Sequence, residues 1–349
     1  MNSPSCVVIA CNNGLGHARR VVSVIARWKS IRPNLNVRLL ADPDITARLV
    51  NWPTWTDLRQ EPGFEFVAFR TDTTLAALVS GSDAAVSWHR RLPPLRETVV
   101  WSDNLPQILA LRSDAVLSGS FLWHEVVDAI SPGTAFAATS RELLGKYRPL
   151  MAGNEYFSTV SVREETNFVP VGLYRYVTAP HVSSPRALLI SAGYRDYVDS
   201  EISQAIQRLA RGACPPGFDR IYVERRFLLA GGPTWIREAR MDGDMYSEVA
   251  AACIRPGLGK LSDCLVAGAR IFAFHEVDQW EMLHNGIVLE RLAVGEACHD
   301  VRDAIERAIA YQGDAAAQAR HAHATKGLRI DGVEATAEML DAALQARAA

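Results

Sequence analysis

The chain has 349 residues, 48% of them apolar and 22% charged, and a formal net charge of -2. That length exceeds one ordinary core and suits two domains, and the balance is that of a folded globular chain, not a disordered one. The near-neutral charge gives no general attraction to nucleic acid or to an anionic membrane, and the 6 scattered cysteines, with no C-x-x-C pair, fit reduced thiols better than disulfides or a zinc site. The N-terminus lacks the positive region of a signal peptide, and no apolar run reaches the roughly 18–20 residues that span a bilayer. A soluble, cytoplasmic protein is expected.

In chain order, a strand is expected at 6–10, then a polar glycine loop and an apolar-periodic helix from about His17. Strand, glycine loop and helix open a doubly wound α/β unit. Further strands are expected at 36–40, 64–69, 115–117 and 134–137, with a helical stretch over 105–111 and a closing element at 169–172. Small polar residues with Pro180 and Pro185 suit a linker. Residues 1–178 therefore read as an N-terminal domain and 179–185 as the linker. The second domain, 186–331, repeats the same logic: a strand at 187–191 leads into Gly193 and a helix from about Asp199. Within it, a strand at 251–254 runs into a turn and a helix at 261–267, and another strand follows at 270–274. Residues 332–349 form an alanine-rich amphipathic helix, for which we consider packing back on the N-terminal domain.

Three constellations can carry chemistry. The first is Asn13, Gly14, Gly16, His17 and Arg20. Glycines let a ligand approach the main chain, and a helix N-terminus offers free N–H groups and partial positive charge. That positive end favours the neutral, base-competent form of His17. The plain alternative is a glycine turn with a surface histidine, and the third glycine of a dinucleotide fingerprint is absent. The second constellation is Gly257, Leu258, Gly259 and Lys260, whose backbone N–H groups can cradle a diphosphate, with Asp263 one turn on to accept from ribose hydroxyls. An ordinary turn and an exposed helix start are the plain reading of these residues. The third is the polar run after 270–274, with Glu276, Asp278, Gln279 and Glu281, where carboxylates and amides suit sugar hydroxyls or simply cap a helix. In the first domain, Trp123 and His124 follow the strand at 115–117 and can meet an acceptor, or can be a buried helix start.

The order Gly14-Leu-Gly-His-Ala-Arg-Arg20, Arg255-Pro-Gly-Leu-Gly-Lys-Leu-Ser-Asp263 and the run from Glu281 to Gly295 resembles GT-B glycosyltransferases. The nearest likeness is to the branch of the peptidoglycan N-acetylglucosaminyl transferase and its uncharacterised relatives; residues 40–180 match nothing recognisable. The resemblance implies two Rossmann-like doubly wound domains facing a central cleft, with the acceptor on the N-terminal side and the donor on the C-terminal side. It assigns 257–260 to the diphosphate and Asp263 to the ribose, and we add Gly193 and the His17 loop as candidates to help hold the diphosphate. Family members commonly carry glutamate where Asp263 stands and serine or threonine where Lys260 stands. The family's Glu-Gln pair aligns either with Glu281-Met282 or with Asp278-Gln279, and both alignments stay open.

The expected function is transfer of a sugar from a nucleotide-diphosphate sugar, UDP-linked first, to a hydroxyl of a small-molecule, lipid-linked or glycan acceptor. The expected route is inverting displacement, with no metal or other cofactor. His17 is the first candidate base, with a phosphate contact or acceptor orientation as its other roles, and Asp103, Glu125 and His124 are the substitutes. Asp42/Asp44 and Asp242/Asp244 imitate a metal-holding Asp-x-Asp motif but are expected to start helices. A nucleotide-sugar hydrolase or epimerase, or a silent binding homologue, are the competing readings.

Overall fold

The computed structural model describes residues 5–176, 182, 184–193, 198–276 and 279–348. The chain forms two compact units, Met1–Tyr174 with Asp331–Ala349, and Arg175–Ile330. Of the expected linker, Val182, Ser184 and Pro185 lie within the described residues.

The first unit holds seven parallel strands, β1 (Ser5–Ile9), β2 (Asn36–Ala41), β3 (Phe64–Ala68), β4 (Val99–Asp103), β5 (Val116–Ser118), β6 (Leu150–Asn154) and β7 (Asn167–Val171), in the order β3-β2-β1-β4-β5-β6-β7. Every residue of β4 is buried, as is β1 beyond Ser5, because a parallel strand with helices on both faces has no solvent side. The helix Leu15–Ile31 lays Ala18, Val21, Val22, Ile25 and Trp28 into the core. The last helix, Gly332–Ala348, belongs to the same unit. Asp341 on it accepts from Trp28 Nε1 at 3.1 Å and takes both arms of Arg32, at 2.6 and 2.9 Å. The hydrogen bonds from Arg32 pull the Asp341 carboxyl down to about 2.

The second unit holds six parallel strands, β8 (Ala187–Ser191), β9 (Arg220–Val223), β10 (Ile236–Glu238), β11 (Val249–Ile254), β12 (Arg270–Ala273) and β13 (Gly295–Ala297), in the order β10-β9-β8-β11-β12-β13. Leu188, Ile190, Ile221, Val223, Ala251, Cys253 and Phe272 from these strands meet Ile202, Ile206, Ala304 and Ala308 from the helices in one core.

Two expected elements change. Residues 134–137 are no strand: the Thr134 hydroxyl accepts from Ala137 N at 3.2 Å and caps the helix Ala135–Tyr147. The stretch 105–111 tightens to the 3-10 turn Pro106–Ala110. Strands β4, β6, β9, β10 and β13 were not expected. No helix among the described residues is long and apolar enough to cross a membrane.

Candidate functional site

In each sheet the strand order reverses once, between β1 and β4 and between β8 and β11. Side chains and backbone at the C-terminal ends of those strands border the crevice where open α/β sheets take ligands. The functional candidates gather at both points.

In the first unit, β1 ends at Ile9 and the loop turns through Gly14, whose φ of 144° lies where a side chain is strained, before the helix starts at Leu15. His17 sits in the first turn of that helix, and Asp103 is the last residue of β4. His17 Nδ1 lies 2.7 Å from Asp103 Oδ2. Asp103 Oδ1 accepts from Arg20 Nε at 3.0 Å, Arg20 Nη2 at 2.5 Å and Ser118 Oγ at 2.9 Å. Burial pushes the Asp103 carboxyl up, but Arg20 and His17 together outweigh it and hold the group below its ordinary value. An ionised carboxylate only accepts, so the proton between the two groups sits on His17 Nδ1, and it is Nε2 that carries the lone pair of the neutral ring. The contact of Arg20 Nη2 with Nδ1, 3.2 Å, is then proximity and not a bond, since both groups are donors.

Around this pair the expected residues divide. The Arg20 side chain is buried on Asp103, with its guanidinium 5.7 Å from the Tyr174 ring centroid. Asn13 bonds the Thr73 carbonyl through its amide nitrogen and accepts from Leu75 N at 3.0 Å, which makes it a brace between two loops. A Cβ added to Gly16 would meet nothing within 4 Å, so the backbone there has open space beside it. Trp123 brings its ring to 6.3 Å from that of His17. His124 is buried with Nε2 3.3 Å from Glu165 Oε1, which gives it a packing role and leaves Trp123 as the acceptor candidate. Glu125 accepts from Leu122 N at 2.9 Å and from Thr159 Oγ1 at 2.8 Å, and so caps the start of its helix.

In the second unit, the turn after β8 passes through Gly193 at φ 77°, again a conformation suited to glycine. Gly193 N donates to Glu224 Oε1 at 2.9 Å, and Lys260 Nζ lies 3.1 Å from the same oxygen and also bonds Ser191 Oγ. Glu224 directly follows β9. Burial pushes its carboxyl up, but Lys260, Ser191 and Arg226 pull it further down, so it is a carboxylate. After β11, Gly257 is the N-cap of the helix Leu258–Val266 and no side chain caps it. Leu258, Gly259 and Lys260 are thus the first helical residues and not a loop, and their N–H groups precede the first intrahelical donor, Leu261 N on Gly257 O. Asn285 Nδ2 holds Pro256 O at 2.8 Å, and Arg255 Nε grips both oxygens of Glu276 at 3.1 and 3.2 Å.

Asp263 is 1% exposed, which corrects the exposed helix start expected from its place in the sequence. Gln279 Oε1 accepts from Arg255 Nη2 at 3.1 Å, Glu281 stands in the first turn of the helix Trp280–Arg291, and Asp278 lies outside the described residues. Asp42 caps a short helix through Asp44 N at 2.9 Å and Asp242 another through Met245 N at 2.8 Å. Among the described residues no group of three or more His, Cys, Asp and Glu is placed to hold a metal ion.

Sequence reasoning missed two acids. Asp103 was weighed only as a substitute base, and Glu224 was not weighed. Each stands at the end of a short apolar run, Val99-Val-Trp101 and Ile221-Tyr-Val223, and that run-then-acid pattern was the available signal.

No family model matches the chain, and no curated protein does. Solved structures do match. The calicheamicin glycosyltransferase CalG4 aligns with a TM-score of 0.67 at 15% identity, over 100% of each chain. The spinosyn rhamnosyltransferase SpnG, complexed with spinosyn aglycone, aligns at 0.61 and 14% identity, over 93% of this chain and 97% of that one. UGT89C1 of Arabidopsis thaliana, complexed with UDP-L-rhamnose, aligns at 0.57 and 13% identity, over 93% of this chain and 94% of that one. The protein has the GT-B glycosyltransferase fold, built from two parallel-sheet α/β domains.

Proposed function

We propose that the protein transfers a sugar from a UDP-sugar to a hydroxyl of a small-molecule acceptor by metal-independent inverting displacement. The observation that carries this reading is the His17–Asp103 pair at the end of β1 and β4. With Nδ1 protonated against a buried carboxylate, Nε2 takes the acceptor proton as the hydroxyl attacks the anomeric carbon. Asp103 steadies the imidazolium that forms, and Trp123 offers an aromatic wall beside the base. The transition state is oxocarbenium-like, and the leaving group is a diphosphate. In the second unit, the open N–H groups of Leu258, Gly259 and Lys260 and the helix dipole supply positive potential to that group without an ion. Gly193 and Lys260 add donors from β8 and this helix, Asp263 serves the ribose, and Gln279 and Glu281 the sugar. The aglycone and UDP-sugar ligands of the structural neighbours support a small hydroxylated acceptor and a UDP-linked donor.

The test is incubation with a UDP-sugar, a hydroxylated aromatic acceptor and excess chelator. A glycoside of inverted anomeric configuration is expected, and free sugar released equally with and without acceptor would indicate a hydrolase instead. Activity that vanishes with chelator and returns with magnesium or manganese would overturn the metal-free mechanism. By calorimetric titration, Lys260→Ala is expected to weaken UDP binding by about 1–3 kcal/mol, the scale of lost hydrogen bonds to a charged group. Asp42→Ala and Asp244→Ala are expected to change it little, because Asp42 caps its own short helix and Asp244 stands in the first turn of the helix that Asp242 caps.

A further inference from the structure

Three donors converge on one oxygen beside β8: Gly193 N at 2.9 Å, Lys260 Nζ at 3.1 Å and the Ser191 hydroxyl all reach Glu224 Oε1. A backbone amide in a glycine turn, a hydroxyl and an ammonium at the switch point of a doubly wound sheet are the parts of an anion site. Here the anion is the chain's own carboxylate, reaching across from the end of β9. The other carboxylate oxygen, Oε2, lies 2.9 Å from Arg226 Nη2. That guanidinium also donates to Gly193 O at 2.9 Å and pairs with Asp199 at 3.1 Å. Glu224 therefore has a second cationic partner to keep if Oε1 gives up its three donors.

We infer that Glu224 is a resident competitor for the donor diphosphate, which takes over the Gly193, Ser191 and Lys260 donors while Glu224 swings out on Arg226. The inference rests on the diphosphate reading of this site and adds its selectivity. A carboxylate and a diphosphate cannot share the same donors, because like charges that close repel strongly when half-buried. Displacement then demands a ligand with enough negative charge to hold the donors itself. A nucleoside diphosphate meets that demand and a bare nucleoside does not. Without ligand, Glu224 keeps Lys260 from standing as an uncompensated charge.

Glu224→Gln keeps the shape and removes the competing charge. Titrated with UDP, it is expected to bind about tenfold or more tightly than the unaltered protein, while uridine gains nothing. A second readout separates this from mere bracing. The ligand-free variant is expected to melt lower, since Lys260 loses its counter-charge, and saturating UDP is expected to close that deficit. Glu224→Asp keeps the charge on a shorter arm and is expected to show a smaller gain, which gives a reading if the glutamine variant is too unstable to purify. If the unaltered protein binds UDP but the variants bind it equally or more weakly, with the melting deficit unchanged, Glu224 is a structural brace and the inference falls while the diphosphate reading stands. If neither the protein nor its variants bind UDP, the diphosphate reading falls and takes the inference with it.

Discussion

His17→Ala is expected to lower turnover by about 10²–10⁴-fold, the usual contribution of a positioned general base, while the donor dissociation constant stays near that of the unaltered protein. The separation follows from where the side chain points. Its Nδ1 is committed to Asp103, so the ring's remaining chemistry is at Nε2, and the phosphate candidates belong to the second unit. The removed ring is mostly buried but small, and Asp103 keeps Arg20 and Ser118 as partners, so folding should survive. Steady-state kinetics with a donor titration on the same sample makes the check. Unchanged turnover would move the base elsewhere, and a large loss of donor affinity at constant turnover would make His17 a binding residue.

Asp103→Asn is expected to produce the second large effect, and on two observables at once. An amide in place of the carboxylate can donate to Nδ1, which moves the imidazole proton to Nε2 and removes the base; the loss in a comparable His–Asp pair is on the order of 10⁴-fold in turnover. His17→Ala with Asp103→Asn should then cost little more than either change alone, because both disable one unit. The same substitution removes the Asp103 charge from a buried ion pair with Arg20, a loss of about 3–5 kcal/mol of stability. The pH dependence has a definite sign. The Asp103 carboxyl lies below its ordinary value of 3.8 in the folded protein, so its contribution is fully present above that value and is lost as pH falls through the lower folded one. Denaturant unfolding at pH 7 should show the deficit, and it should narrow as both proteins are taken into that acid range. A variant as stable as the unaltered protein at neutral pH would mean that Arg20 finds another anion.

Elements from both units show where sequence was sufficient. The strand at 187–191 and the helices that begin near His17 and Asp199 were legible, because each couples an apolar run to a glycine turn or a sustained helical period. Thr134 misled because the apolar residues after it read as a strand, whereas its hydroxyl caps a helix whose buried face only packing reveals. Strands β4 and β9 were passed over because stretches of five and four residues carry too little pattern to separate a strand from a short buried segment of any kind.

By itself, the sequence determined the two-fold repetition of strand, glycine turn and helix, and with it the positions of His17 and of 257–260 at helix starts. These are local properties: a glycine turn and a helix N-terminus are written within a few consecutive residues. Only the tertiary structure decided what those residues face. Asp103 is 86 positions from His17, and Glu224 is 36 from Lys260; in both cases parallel pairing brings the acid's strand, or its neighbour, beside the glycine turn. Asp263 was likewise read as exposed because helix position alone does not say which neighbours cover a side chain. The His17–Asp103 pair and the counter-charge of the lysine are therefore products of sheet order, which local patterning does not encode.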